Sequence, residues 1–371
     1  VFQSKMSSPE SEESTLQKEV KCRVAVAILN WNGVDHLTRF LPSVVEHTEA
    51  PDRVVVIDNG STDGSMALLE AQYPEVHVVR LSENQGFAGG YNEGLSQLDS
   101  TWQADWFLLL NSDVEVTTGW VDGMRLAAEE NGWSAAQPKI RSVERRAEFE
   151  YAGAAGGFMD RHGFMFCAGR LFDCNELDAG QYDNDHTVFW ASGASMLVKR
   201  TAWFEVNGLD EDFFAHMEEI DLCWRMKNRG MSVGATSRSL VFHLGGGTLQ
   251  HENPQKAYLN FRNNLYLLLK NDHRSSITSR IFMRQCLDGL AALRFLMEGK
   301  GPFFKAVWRA HMDFYANRRA MVSKRRSEIE ACQGVTRSEA SLAGQYRGSV
   351  VWDFFVRKRK TFSSLPLNRF R

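Results

Sequence analysis

The stretch VVVIDNGSTDGS, residues 54–65, runs four β-branched residues into Asp58, Asn59 and Asp63, with glycines and hydroxyls between them. Carboxylates and amides at the end of an apolar run can grip a polar ligand. A carboxylate accepts from N–H or O–H and can hold a hard cation, and an amide both donates and accepts. The pattern recurs: Asn30 and Asn32 follow AVAIL, SENQGFAGG (82–90) follows VHVVRL, and NSDVE (111–115) follows WFLLL. Asn, Asp, Gly and Ser are also ordinary turn formers, so one such loop carries little, but four together imply a binding crevice. A second acidic group, Glu218, Glu219 and Asp221, lies in HMEEIDLCWRMKNRG (216–230), where Ile220, Leu222, Cys223 and Met226 fall at helical spacing and Gly230 ends the run. All three acids then belong to a helix's first turn, where the dipole favours negative charge, and Asp221 can pair with Arg225 four residues on.

These groups need a frame, and the chain supplies one. RVAVAILNWN, RVVVIDN, VHVVRL and DWFLLLNSD read as strands, separated by helical patterns in VDHLTRFLPSVVEH, GSMALLEAQYP and AGGYNEGLSQL. Apolar strands joined through helices imply an α/β fold with a parallel sheet covered on both faces, and such sheets bind ligands at the carboxyl ends of their strands. The crevice is nucleotide-like, but NWNGVDHL after the first strand lacks the GxGxxG fingerprint, and no GxxxxGK[ST] loop occurs.

With 43% hydrophobic and 24% charged residues in 371, the chain has the composition of a globular protein able to bury its own core. A formal net charge of −3 argues against nucleic acid as a partner, although RKRK (357–360) and NRFR (368–371) form a basic tail able to touch anionic lipid. The six cysteines show no CxxC pair and no zinc spacing, which favours free thiols in a reducing compartment. No apolar run approaches the roughly 18 residues of a membrane span, so a cytoplasmic protein is expected, with the inner face of the cell membrane as a surface it could meet. Residues 1–20 are polar and acidic and read as a disordered lead, with Met6 a candidate natural start.

Taken in order, AVAILNWNG, VVVIDNGSTDGS, ENQGFAGGYNEG, LLLNSDVEVTTGWV and GLDEDFFAHMEEIDLCWRMKNRG resemble the motif series of the inverting family-2 glycosyltransferases, particularly their rhamnosyltransferase-like branch. The resemblance covers about residues 23–272. It implies a GT-A fold, a mostly parallel sheet flanked by helices, with a nucleotide-sugar half (21–140), an acceptor and catalytic half (141–254) and a C-terminal helical extension with a basic tail (255–371). It implies an enzyme moving a sugar, by analogy rhamnose, from a dTDP- or UDP-linked donor to a glycan or lipid-linked acceptor in polysaccharide assembly.

The roles it implies fall on particular residues. Asp58 takes the place of the base reader; a carboxylate suits the N3–H of uracil or thymine because it accepts and cannot donate. Asn30, Asn32, Asn84, Gly86, Gly89 and Asn92 are donor-binding candidates, the glycines because they let backbone approach an anion at a helix start. Asn111, Ser112 and Asp113 occupy the DxD position, with Asp113 the carboxylate for a divalent cation, Mn2+ or Mg2+, and His243 a further ligand. Glu219 stands where the family carries its catalytic base, with Glu218 and Asp221 as alternatives. Trp190, within a long glycine-rich stretch (141–195) read as a loop over the site, is a candidate sugar-stacking ring, and His216 is a candidate shaper of the acceptor side. The helices after residue 255 combine apolar stripes with Arg and Lys, which suits packing on the core, a membrane surface or self-association into a homo-oligomer. Two rivals remain. A nucleotidyltransferase would want a basic glycine-rich loop after the first strand, and a non-catalytic nucleotide-sugar-binding protein would have no use for acids at both 113 and 219.

Overall fold

A computed structural model describes residues 22–150, 153–245, 253–336 and 338–371. The expected lead, residues 1–20, lies outside them, as do the second and third glycines after His243.

The first half follows the alternation of its sequence. Strands β1 (Val24–Asn30), β2 (Arg53–Asn59), β3 (His77–Leu81) and β4 (Trp106–Leu110) are joined through helices α1 (Val34–Glu46), α2 (Ser65–Gln72) and α3 (Gly86–Thr101). They lie side by side in the order β3-β2-β1-β4, all parallel. Alternate residues serve opposite faces: Ala25, Ala27, Val55, Ile57, Phe107 and Leu109 meet α3, while Val24, Val26, Val54, Val56 and Leu108 meet Leu37 and Leu41 of α1 on the other side. Helix α3 approaches the sheet closely because it carries glycine there. A Cβ on Gly94 would stand 2.5 Å from Ile57, and one on Gly90 would stand 2.8 Å from Leu29.

Beyond β4 come β5 (Val114–Val116), α4 (Trp120–Glu130) and β6 (Ala135–Ser142), then four short strands, β7 (Gly157–Asp160), β8 (Met165–Cys167), β9 (Arg170–Leu171) and β10 (Cys174–Asn175). The chain continues through β11 (His186–Val188), β12 (Ser195–Lys199), α5 (Arg200–Glu205), α6 (Glu218–Asn228) and β13 (Val233–His243). Strands β12, β6, β13 and β11 extend the main sheet past β4, with β12 antiparallel to both neighbours and β11 and β5 antiparallel to β13, so the sheet is mostly parallel with reversed strands beside the site and at its edge.

The stretch 141–195 is not the covering loop its composition suggests. It builds a second sheet, β10-β9-β8-β7, completed by β14 (Gln345–Tyr346) near the end of the chain. Strands of two to four residues broken by glycines leave no period to read, which is why the stretch resembles a loop.

The remainder is helical: α7 (Pro254–Asn271), α8 (Ile277–Met297), α9 (Gly301–Ala316), α10 (Arg318–Ala331) and a short α11 (Glu339–Leu342). The segment after β14 folds back onto the second sheet. Tyr346, Phe362 and Phe370 stack around Phe158 and Phe166, and Asp353 takes Tyr346 Oη, Arg357 and Arg359. The basic tail is therefore partly held within the fold. All six cysteines are unbridged, and no described helix is long and apolar enough to cross a membrane.

Candidate active site

Register brings the polar strand ends together. Asn30 is paired with Asp58 across β1 and β2, and Ile28 lies opposite Leu110, so Asn111 leaves β4 along the same edge. Asn30 Nδ2 donates to Asp58 Oδ1 at 3.3 Å and to Ser61 Oγ at 3.1 Å. Its Oδ1 is buried with no partner among the described residues, facing the space that a Cβ on Gly33 would fill at 2.6 Å. A polar atom left unmatched at a strand end fits a site awaiting a ligand donor. Asn32, held at φ 50°, accepts from Thr62 N–H at 2.7 Å, while Asp63 ties Val34 N–H to Ser65 N–H and so fixes the starts of α1 and α2.

The loop before α3 is built by side-chain amides. Asn59 donates to Asn84 Oδ1 and to the Gly86 carbonyl, and accepts from Gln85 N–H at 2.9 Å. Gly86 sits at φ +73° with nothing near a would-be Cβ, so this turn is open to an approaching ligand, whereas Gly89 is buried against Gln85 and Glu211. Asn92 departs from the expected donor contact: both atoms of its amide are bonded to the Leu209 backbone at 2.9 Å, so it braces the turn before the loop leading into α6.

A third cluster gathers on β4 and β13. His243 Nε2 stands 3.1 Å from Asp113 Oδ1 and 3.5 Å from Asn111 Nδ2, while its Nδ1 stands 3.3 Å from Glu150. Burial opposes charge on the ring, but the two carboxylates outweigh it and push its pKa up to about 10. Asp113 is correspondingly held below the usual carboxylate range, the His243 contact overcoming its burial. Ser112 is half-buried on this edge, its Oγ 3.9 Å from the Cβ position of Gly33. Among the described residues no three His, Cys, Asp or Glu converge to hold a metal by themselves. The donor set therefore fits a cation bound at two points, by carboxylate oxygen and imidazole nitrogen, with ligand phosphates completing the shell. Glu150, which the sequence did not single out, fixes the ring so that Nε2 faces Asp113.

Across the crevice, α6 begins with Glu218 and Glu219. Glu219 packs against Gly193, whose Cβ position is 3.5 Å from Glu219 Cβ, and the Gly193 turn is tied to the edge of β4 by Asn111 N–H bonding Ala194 O at 3.0 Å. Burial pushes the Glu219 carboxyl up to about 7 against the pull of backbone N–H groups at the helix start. Glu218 is buried more fully; burial first, then the neighbouring charge of Glu219, raise it well above the usual range, and its Oε2 has no partner among the described residues. Asp221 differs in kind. It accepts from Arg225 at 2.7 Å, Lys270 at 2.9 Å and the Asn271 amide at 2.7 Å, and the two cations, helped by that amide, hold it ionised despite burial. That is the geometry of a brace.

The loop leading into α6 is strained. Phe214, His216 and Met217 all have positive φ, of 64°, 68° and 76°. One side chain of α7 holds it: Asn263 Nδ2 reaches the carbonyls of Phe213, Ala215 and His216 at 2.9, 2.9 and 2.7 Å, with Arg262 on the Phe213 carbonyl at 3.1 Å. His216 lies two residues before Glu218, half-buried and held neutral by burial, its pKa lowered to about 4. Sequence reasoning missed Asn263; the available signal was a pair of amides, Asn263 and Asn264, interrupting the buried face of a helix.

Trp190 is not a stacking surface. It is 6% exposed, its Nε1 donates to the Phe158 carbonyl at 3.2 Å, and a Cβ on Gly157 would fall 2.1 Å from its ring, so it fills the joint between the two sheets. Cleft size does not mark the site either. Among the described residues, clefts of about 390 and 300 Å³ lie at the opposite ends of the strands, near Arg53 and His77 and near Cys22 and Trp106.

Comparison with known proteins agrees with this arrangement. Residues 25–160 match the model of the glycosyl transferase family 2. An N-acetylglucosaminyl-diphospho-decaprenol L-rhamnosyltransferase of Mycobacterium tuberculosis is 29% identical over 286 residues, 72% of this chain and 90% of its own length. A low-salt glycan biosynthesis hexosyltransferase of Haloferax volcanii is 23% identical over 250 residues, 66% of this chain and 77% of its own. Among solved structures, GalNAc-T7 with UDP, GalNAc and Mn2+ superposes with a TM-score of 0.50 at 16% identity over 67% of this chain; the match spans about half of that protein, 48%. The motif order, the strand-end crevice and these likenesses together identify residues 25–160 as a glycosyl transferase family 2 domain, in a chain with a GT-A fold.

Proposed function

We propose that the chain is an inverting glycosyltransferase that moves a sugar, with rhamnose the leading candidate, from a dTDP- or UDP-linked donor to a lipid-linked or glycan acceptor in polysaccharide biosynthesis. The observation that carries this reading is Glu219: a carboxyl raised to about 7 by burial, at the start of α6 and against the turn tied to the donor edge. A general base works best when its pKa lies near the operating pH.

In this reading Asp58 accepts the N3–H of the pyrimidine, and the start of α3, past the open turn at Gly86 whose own N–H is held by Asn84, would present its backbone N–H groups to the diphosphate. Glu219 takes the acceptor hydroxyl proton as that oxygen attacks the anomeric carbon from the face opposite the leaving diphosphate, which inverts the centre. Asp113 and His243 would hold a divalent cation, which when bound neutralises charge developing on the leaving diphosphate. His243 must give up its proton to serve as a ligand. Charge stabilisation of the leaving group is expected to be the largest single contribution to rate.

A thermal-shift panel of nucleotide sugars, with Mn2+ and with chelator, tests the donor assignment. Stabilisation by pyrimidine but not purine diphosphates is expected, with Asp113→Asn weakening binding chiefly when metal is present. Preference for a purine would overturn the role of Asp58, and equal binding in chelator would overturn that of Asp113.

A further inference from the structure

Helix α8 buries charge beside Ile277, Ile281 and Ala292 and turns an apolar stripe to the outside. Its inward face carries charge: Arg280 is buried on the carbonyls of Asp160 and Arg161, Arg284 on Gly163 and Asp288, and Asp288 is fully buried. Its outward face carries Phe282, Cys286, Leu290, Leu293 and Met297, spaced three to four residues apart, with Phe282 and Leu290 each 65% exposed and Met297 75% exposed. Helix α9 packs alongside and exposes Trp308, Met312 and Tyr315, the last reaching Gln285 of α8 at 2.8 Å. Phe355 joins the rim beneath the guanidinium of Arg294. An apolar stripe on the solvent side of a helix whose polar side is buried calls for an apolar partner.

The charges around the stripe identify that partner. Arg294, Lys300, Lys305, Arg309, Arg318 and Arg319 are exposed there, and the acids among them, Glu298 and Asp313, already pair with Arg294 and Arg309. Leucine, methionine and tryptophan rimmed by arginine and lysine complement a bilayer with anionic headgroups, whereas a second copy of the face would set like charges against each other. We infer that the outer faces of α8 and α9 are a docking surface for an anionic membrane. The surface stands one helix from the chemistry, since Ala306 and Ala310 of α9 pack with Tyr258 and Leu259 of α7 and with Ala215 of the strained loop. A chain seated there holds the acceptor side of its crevice close to the bilayer. The inference rests on the surface alone and deepens the proposed function only where the acceptor is lipid-linked.

The test uses the full chain without nucleotide, because residues 345–371 complete the second sheet. Co-sedimentation is measured with phosphatidylcholine vesicles and with an equal mixture of phosphatidylcholine and phosphatidylglycerol. Wild type is expected on the mixed vesicles, released in part by salt, with Leu290→Glu/Leu293→Glu reducing partition by about tenfold or more and Lys305→Glu removing part of the salt-sensitive fraction. Nucleotide binding and melting of the variants should match wild type, which separates this inference from the donor assignment. Equal partition to both vesicle types, or equal partition by Leu290→Glu/Leu293→Glu, would overturn it. So would a dimer in sedimentation velocity that the double variant dissolves while vesicle binding persists, which would make the face a self-association surface.

Discussion

The edge proposed to take the donor and the loop before α6 proposed to face the acceptor, here the donor edge and the acceptor loop, solve one problem, presenting polar groups at a defined place, by opposite means. At the donor edge each group follows its own strand, and neighbours in the sheet align them: Asn30 with Asp58, and the Asn59 amide with the turn at 84–86. At the acceptor loop the backbone is strained at Phe214, His216 and Met217 and is held from far along the chain by Asn263, while Lys270 and Arg225 anchor Asp221 behind it. One region is positioned by the ladder it extends, the other by a few buried polar contacts. Substitutions on the donor edge should therefore change binding with little effect on stability, whereas those behind the loop should change both.

The largest expected effect is at Glu219, where the two regions meet. Glu219→Gln should lower transfer by roughly 10²- to 10⁴-fold with donor affinity nearly unchanged. In wild type the rate should climb with pH and level off above about 7, because below that value the carboxyl is protonated and cannot accept. The variant should lose this limb. A carboxyl raised by the fold costs stability once ionised, so Glu219→Gln should also melt higher than wild type at pH 8, a gain that vanishes as pH falls toward the ordinary glutamate range. An unchanged limb in the variant would move the base to Glu218.

Behind the loop, Asp221→Asn leaves Lys270 and Arg225 buried beside a neutral amide and should cost about 3–5 kcal/mol in denaturant unfolding. A mild stability change with abolished transfer would instead make Asp221 part of the chemistry. Asn263→Ala, which removes this donor from the Ala215 and His216 carbonyls and leaves Phe213 to Arg262, should cost about 1–3 kcal/mol. In kinetics it should raise KM for the acceptor while leaving donor binding intact, and a pure stability loss with unaltered KM would reduce Asn263 to packing. The smallest effect belongs to the donor edge: Asp58→Ala should weaken nucleoside diphosphate binding by about tenfold, with or without metal, at nearly constant melting temperature.

The same contrast explains what could be read in advance. Asn30 and Asp58 stand directly after apolar runs and Asp113 follows another after two intervening residues, so the runs themselves placed them on one edge, and the helical spacing after Glu218 placed the acids at the start of α6. Trp190 misled because its burial depends on Gly157, on a strand too short to show a period. Glu150 and Asn263 were invisible for a related reason: each acts on a residue 93 or about 50 positions away, His243 and the 213–216 carbonyls, and nothing beside them in the chain records the meeting. Asn92 looked like a donor contact because the glycine-rich motif surrounds it, yet its partner, Leu209, lies 117 residues on.

Strand β14 has a consequence for how the molecule is made. The parallel strands β1 to β4 find their partners within the first third of the chain and can settle while synthesis continues. The second sheet cannot, since β7 waits for Gln345 and Tyr346, and Phe158 and Phe166 stay uncovered until Phe362 and Phe370 arrive. During that interval an aromatic face and an open strand edge are exposed together, a combination prone to aggregation. Chaperone dependence and loss of yield in chains shortened at this end should therefore trace to the second sheet, with the parallel strands β1 to β4 already formed.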